Sequence, residues 1–142
     1  MKIKQISLFA ENKQGHIAAP VRLMAKQGID VRALVLAETQ QYGILRMIVS
    51  DWQKAAAILG DAGFTVKVTE VLAVEVGDHP GGLAHVLATL DACAINIEYM
   101  YAFPRFRADS AILLFRFTDP DAAIACLKAA GVNVLASDEI LK

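Results

Sequence analysis

Two short stretches of this 142-residue chain carry residues suited to holding a small polar ligand, Asp78-His79-Pro80-Gly81-Gly82-Leu83 and Asn12-Lys13-Gln14-Gly15-His16. The first sits between an apolar run, Val71 to Val76, and an amphipathic one carrying Leu83, Val86, Leu87 and Leu90. Glycines let a backbone come close to a bound group, and the first N–H groups of a helix have no acceptor within it, so such a turn can donate to a carboxylate or phosphate. Asp78 supplies a counter-charge for an ammonium group. His79 either lines the pocket or stays solvated, and a tight turn that needs glycine for geometry alone is the competing reading. The chemistry on offer is binding. No serine lies in a nucleophile elbow, no cysteine has a histidine partner at useful spacing, and no carboxylate pair is placed for acid–base work, so the chain reads as a non-enzyme.

His16, His79 and His85 share no ligand-like spacing with Cys93 or Cys126, which argues against a metal site, and nothing in the chain calls for a cofactor. The cysteines stand among apolar neighbours at helix-compatible positions and read as buried free thiols. With 14 Lys and Arg against 15 Asp and Glu, a net charge of -1 provides no general attraction to nucleic acid or an anionic membrane. No apolar run approaches the roughly 20 residues of a membrane span, and the charged start has no signal-peptide core. The expectation is a cytoplasmic protein.

The elements that must position these turns follow from an internal repeat. Gly15, Ala18, Ile29, Asp30 and Val31 recur at one constant offset as Gly81, Ala84, Ile95, Asn96 and Ile97. Ile44, Leu45, Asp51, Leu59, Gly63 and Val66 recur as Ile112, Leu113, Asp119, Leu127, Gly131 and Val134 at an offset two residues longer. The extra pair is expected in a hairpin loop around Pro104 to Asp109, where an insertion is best tolerated. Each repeat, residues 1–68 and 69–142, reads strand, helix, strand, strand, helix, strand. Alternation puts Ile6, Leu8 and Ala10, and likewise Leu72, Val74 and Val76, on the core face. Ile17, Val21 and Met24 mark the first helix, Asp51 caps the second over Ala55, Ile58 and Leu59, and Asp119-Pro120 begins the fourth. The fold class is therefore α+β: two ferredoxin-like βαββαβ units, each an antiparallel sheet of order 4-1-3-2 with both helices on one face.

In that order strands 2 and 4 are edges, and an open edge is a template for pairing, so the sheets are expected to join edge to edge through their second strands, within the chain or between chains. Simple alternation from Ile29, Val31, Ile95 and Ile97 places Leu34, Leu36, Met100, Ile44, Ile48, Ile112 and Leu114 largely on the face away from the helices, an apolar patch that suggests a homodimer with sheets packed face to face. Tyr99, Tyr101 and Phe103, followed by Arg105, Phe106 and Arg107, could stack on RNA bases, as βαββαβ RNA-binding modules do. The absence of a basic face favours packing for the aromatics, with Arg105 and Arg107 solvated. Asp30 and Asn96 occupy matching positions at the start of each second strand and could point into a junction between units.

These residues resemble the ACT domain family, and in particular its stand-alone proteins made of two ACT repeats. The resemblance covers essentially the whole chain and is carried by Glu11-Asn12-Lys13-Gln14-Gly15 with Gly28-Ile29-Asp30-Val31, and by Asp78-His79-Pro80-Gly81-Gly82-Leu83 with Ala94-Ile95-Asn96-Ile97. It implies an allosteric regulatory or sensor protein that binds a small amino acid at the junction of two units, between a strand 1–helix 1 loop and the start of a neighbour's strand 2. The ligand set so implied is Asn12, Gln14, Gly15, His16, Asp30, Asp78, His79, Gly81, Gly82, Leu83 and Asn96. The second copy keeps the family's DxPGxL and INI pattern, whereas the first has Gln14 in place of the usual proline and Asp30 in place of asparagine. The alternatives are a ligand-free module that regulates a separate metabolic enzyme and, further off, an RNA-binding protein.

Overall fold

The computed structural model describes residues 1–141, all with side chains except 105–107; the solvation expected for Arg105 and Arg107 therefore lies outside the described residues. In chain order the elements are β1 (Ile3–Glu11), α1 (Ala18–Lys26), β2 (Val31–Glu38), β3 (Tyr42–Val49), α2 (Trp52–Asp61), β4 (Thr65–Gly77), α3 (Gly82–Ala92), β5 (Ile97–Arg107), β6 (Ser110–Phe117), α4 (Pro120–Ala129), β7 (Val134–Leu135) and α5 (Ser137–Ile140). They form two compact units, residues 4–69 and residues 70–142 together with 1–3. Lys2 helps to fix the first three residues in the latter unit, its Nζ 2.8 Å from Asp121. The hydrogen bond that the ammonium donates to that carboxylate holds the ammonium above its ordinary pKa.

The strand order is β2-β3-β1-β4 in the 4–69 unit and β5-β6-β4-β7 in the other, which is the expected 4-1-3-2 order twice over. β4 is one unbroken strand, so Val68-Thr69-Glu70-Val71 is strand backbone and not a linker. In the first unit Ile6 pairs with Met47 and Leu8 with Leu45, and these side chains pack with Met24, Ile29, Ala55 and Leu59. In the second, Leu72 pairs with Phe115 and Val74 with Leu113, packing with Val86, Leu90, Ala123 and Leu127. Both helices of each unit thus contribute to a core on one sheet face. Their starts are set as the sequence dictates: the Asp51 carboxylate accepts from Lys54 N–H and the Asp119 carboxylate from Ala122 N–H.

The faces taken by Leu34, Leu36 and Met100 depart from the sequence reading because of bulges. The register slips between Val31 and Ala33 in β2 and between Ile97 and Tyr99 in β5. One extra residue reverses the alternation beyond it. Leu34 and Leu36 therefore align with Met47 and Leu45 on the helix side, and Met100 packs against the helix-side core. The expected exposed patch on the far face does not exist: Ile48, Ile112 and Leu114 are buried, while Leu34 and Leu36, at 55% and 48% exposure, project from the helix side. Tyr101 and Phe103 are buried as well, which removes them as a base-stacking platform. The third bulge holds the two-residue insertion. Phe103 pairs with Ile112 and Phe106 with Ala111, so Pro104 and Arg105 are the additional residues. A proline cannot donate to a ladder and is tolerated at such a bulge, so the hairpin loop shrinks to Ala108 and Asp109.

The expectation of free thiols is overturned: Cys93 and Cys126 form a disulfide, with Cα atoms 6.3 Å apart. Cys93 is the exposed C-terminal cap of α3, and Cys126 lies in α4, the neighbouring helix of the same unit. The final strand, β7, has two residues and is followed by α5, where Glu139 accepts from the Ala136 N–H and Ile140 is buried.

Ala94 provides a test of how closely the repeats match. It has φ +55 at the position where the first repeat has Gly28, φ +71. A Cβ in the left-handed region costs about 1–2 kcal/mol, and glycine returns part of that relief as chain entropy. Ala94→Gly is expected to stabilise the protein by about 0.5–1 kcal/mol in a urea titration; a destabilised variant would contradict it.

Candidate functional site

Both strand 1–helix 1 turns border a cavity inside their own unit. In the 70–142 unit a cavity of about 330 Å³ lies between the turn leading into α3 and the turn between α4 and β7, lined in part by Glu75, His79, Gly82, His85, Gly131 and Asn133. In the 4–69 unit a cavity of about 480 Å³ takes the equivalent place, with Phe9, Lys13, Gln14, Gly15, His16 and Phe64 on its wall. The correspondence follows from the sequence offsets, which align Glu75 with Phe9, His79 with Lys13, Gly82 with His16, His85 with Ala19 and Val132 with Phe64.

Glycine chemistry shapes each turn. Gly15 and Gly81 have φ +84 and +91, a conformation that a Cβ disfavours. Gly82 is required for a different reason: a Cβ there would stand 1.9 Å from the Gly77 carbonyl oxygen. The opening of α3 is therefore laid directly on the end of β4. In the first repeat His16 stands at that position, such an approach is barred, and the helix begins later, at Ala18. His16 N–H donates to the Lys13 carbonyl, and its ring Nδ1 contacts the same oxygen. In the second repeat the His79 ring lies over Gly77, with Nδ1 3.0 Å from the Pro80 carbonyl oxygen.

Glu75 is the polar anchor of the second cavity. Its Oε1 accepts from Ser110 Oγ at 2.6 Å and its Oε2 from Asn133 Nδ2 at 2.7 Å. These two donors, on different elements, fix the plane of the half-buried carboxylate. Glu75, His85 and Asn133 were not among the sequence candidates. Their signal is the contrast between repeats, since Glu75 is the charged residue within the apolar run Val71 to Val76 and its counterpart is a phenylalanine.

The sequence candidates separate into two groups. Gln14, Gly15, His16, His79 and Gly82 line the cavities. Asn12, Asp78 and Leu83 are exposed, and the Asn12 N–H donates to the Gln41 carbonyl; Gly81 shapes its turn. Asp30 and Asn96 are held by their own units, Asp30 Oδ2 3.0 Å from Arg32 Nε and Asn96 Nδ2 donating to Thr118 Oγ1 at 2.9 Å. Glu98, near the start of β5, pairs with Arg116 at 3.3 Å. Among the described residues no cluster of His, Cys, Asp and Glu could hold a metal ion, and no helix is long and apolar enough to cross a membrane.

Two βαββαβ units in tandem, each with a glycine turn between strand 1 and helix 1, define the ACT class, and the chain belongs to that family: the model for the ACT domain pair matches residues 1–142. Among solved structures, protein BT0572 from Bacteroides thetaiotaomicron is 39% identical with a TM-score of 0.93, the match covering 100% of this chain and 97% of that one. The regulatory subunit of aspartate kinase from Thermus thermophilus, in its ligand-free form, is 18% identical with a TM-score of 0.65 over 90% of each chain. Aspartate kinase from Synechocystis is 20% identical with a TM-score of 0.62, covering 94% of this chain and 26% of that one. At such identities the last two show a shared fold. No curated protein sequence matches the chain.

Proposed function

We propose that this ACT domain pair is a non-enzymatic regulatory or sensor protein of the cytoplasm that binds a small amino acid through the turns 12–16 and 78–83. The observation that carries the reading is the placement of Gly82 against the Gly77 carbonyl, which sets the start of α3 beside a cavity walled by a carboxylate and two imidazoles. A helix start donates to an α-carboxylate while a side-chain carboxylate accepts from the ammonium group, so the two ends of one zwitterion are matched. The fold shared with a regulatory subunit of aspartate kinase fits a regulatory role. Asp30 and Asn96 enter this reading as contacts offered to a neighbouring unit. β2 and β5 end their sheets, each with one edge carrying no strand partner among the described residues, and pairing there with a second chain would give the homodimer and the edge-to-edge join. Ligand bound at such a place would shift the orientation of the units or the stability of the dimer by linkage, and a metabolic enzyme is the kind of partner that could read the change.

A thermal-shift screen over the twenty amino acids tests this. A ligand present at 100 times its Kd should stabilise the fold by about 2.7 kcal/mol, seen as a rise of several degrees. Gly81→Val is expected to abolish the shift while leaving a cooperative melt. Flat melting temperatures at millimolar concentrations of every amino acid would remove the proposal.

A further inference from the structure

The two repeats hold their helix pairs together by different chemistry. In the 4–69 unit the end of α1 is tied to α2 by Lys54, whose Nζ donates to the Gln27 carbonyl at 2.8 Å. In the 70–142 unit the positions that match Gln27 and Ile58 are Cys93 and Cys126, and the tie between α3 and α4 is their disulfide. Cys93 is exposed and Cys126 buried, so an incoming thiolate meets the bond from the Cys93 side. The bond lies one helical turn from the 70–142 cavity on both helices. Cys126 Sγ is 3.4 Å from the Thr89 carbonyl oxygen, and Thr89 stands one turn beyond His85, to whose carbonyl its hydroxyl donates at 3.0 Å. Cys126 stands one turn before Ala130, whose N–H donates to the Cys126 carbonyl. His85 and Ala130 both line the cavity of about 330 Å³. The Thr89 contact also suits the open form. Thr89 is among the last four residues of α3, whose carbonyls have no intrahelical partner. A protonated Cys126 thiol in the same place has its acceptor already in position, so opening the bond leaves no buried donor unpaired.

We propose that Cys93–Cys126 is a thiol–disulfide exchange site that controls the 70–142 cavity, opened by a dithiol reductant and closed by a disulfide oxidant. A thiolate of the dithiol attacks Cys93 Sγ, and as the new S–S bond forms the Cys93–Cys126 bond breaks. Cys126 leaves as a thiolate and takes up a proton. The second thiolate of the reductant attacks the reductant sulfur joined to Cys93, which leaves and is protonated, and the reductant departs as its own disulfide. The protein gains two electrons and two protons, and the dithiol loses them. Once the bond is open, no covalent link holds α3 to α4 beside His85 and Ala130, and the two sides of the cavity part more readily. The 4–69 cavity has no such bond and is the internal reference. That a ligand senses the change rests on the function proposed above; the opening of the bond does not.

The test is hydrogen exchange of the whole protein, oxidised and after millimolar dithiothreitol, with thiols titrated under native conditions and again after glutathione disulfide replaces the reductant. Two thiols should appear and disappear reversibly. In the reduced protein the amides of α3 and of the α4–β7 turn should exchange roughly tenfold faster or more, while those of α1 and α2 keep their rates. Cys93→Ser should show the reduced pattern with or without reductant; if it does not fold, the reversible wild-type cycle decides. Thiols that appear only on denaturation, an opening that glutathione disulfide does not reverse, or two free thiols in the oxidised protein would overturn the site. Exchange accelerated equally in both units would show a bond that only stabilises the whole chain, and acceleration in neither would sever it from the cavity; either result overturns the proposal. An amino acid that binds at His85 should do so several-fold more weakly in the reduced form, and equal affinity would overturn the control of the cavity. A flat amino-acid screen with the exchange pattern intact would remove the proposed function and leave the redox site standing.

Discussion

Gly82→Ala is expected to destabilise the protein by about 3 kcal/mol, at the upper end for an overpacked position. The reason is the 1.9 Å separation between a Cβ at this position and the Gly77 carbonyl oxygen, with the Gly77 carbonyl carbon at 2.8 Å. Both obstacles are backbone, so no side chain can rotate to make room, and relief requires α3 to move off the end of β4. The gain in helix propensity from Gly to Ala, about 1 kcal/mol, is too small to compensate. Gly81→Ala separates the two roles of the turn. Nothing lies within 4 Å of a Cβ there, and its φ is +91, so its cost should be the conformational one alone, about 1 kcal/mol. Urea titrations of the two variants should therefore differ by about 2 kcal/mol. Equal stabilities for Gly82→Ala and the wild-type protein would show that α3 does not press on β4 in this way. The same variant should lose affinity for whatever occupies the 70–142 cavity, because its wall is formed by the residues that must move.

Opening the Cys93–Cys126 bond is expected to have a comparable effect. The two residues are 33 apart in sequence, and releasing a loop of that length restores about 3–4 kcal/mol of unfolded-state chain entropy. Cys93→Ser is the cleaner variant, since Cys93 is exposed whereas Cys126 is buried. Its urea midpoint should fall to that of the reduced wild-type protein and should no longer respond to reductant. A wild-type midpoint that is the same with and without reductant, together with two titratable thiols in the native protein, would restore the reading of these residues as free cysteines. In a reducing cytoplasm the pair would stand open, so the oxidised protein is the more stable of two forms.

Most of the architecture was legible because it rests on local chemistry that recurs. Two copies of one hydrophobic pattern, Asp51 and Asp119 as caps, and glycine turns at matching offsets sufficed to define two βαββαβ units and their strand order. Such signals survive in sequence because periodicity, caps and positive-φ positions are decided within a few residues. The bulges were not legible. Reading Leu34, Leu36 and Met100 on the far face assumed unbroken alternation, and a single extra residue in each second strand reversed it. A bulge is settled by how two strands pair, and the pairing partner is remote in sequence. The disulfide was not legible for a related reason: the deduced topology puts α3 and α4 on one sheet face, but whether Cys93 and Cys126 meet is decided by how the two helices pack.

The candidate site divides along the same line. The sequence by itself determined which turns could hold a ligand, because glycine at 15, 81 and 82 and the helix starts that follow are local features. Only the tertiary structure decided what those turns face. It set His79 and Gly82 against Glu75, His85 and Asn133, three residues drawn from β4, α3 and the α4–β7 turn, and it tied Asp30 and Asn96 to Arg32 and Thr118. A cavity wall is assembled from segments far apart in the chain, and its charge is fixed by folding them together. The contrast between Glu75 and Phe9 was written in the sequence throughout, but it acquired chemical meaning only when both were found on the walls of equivalent cavities.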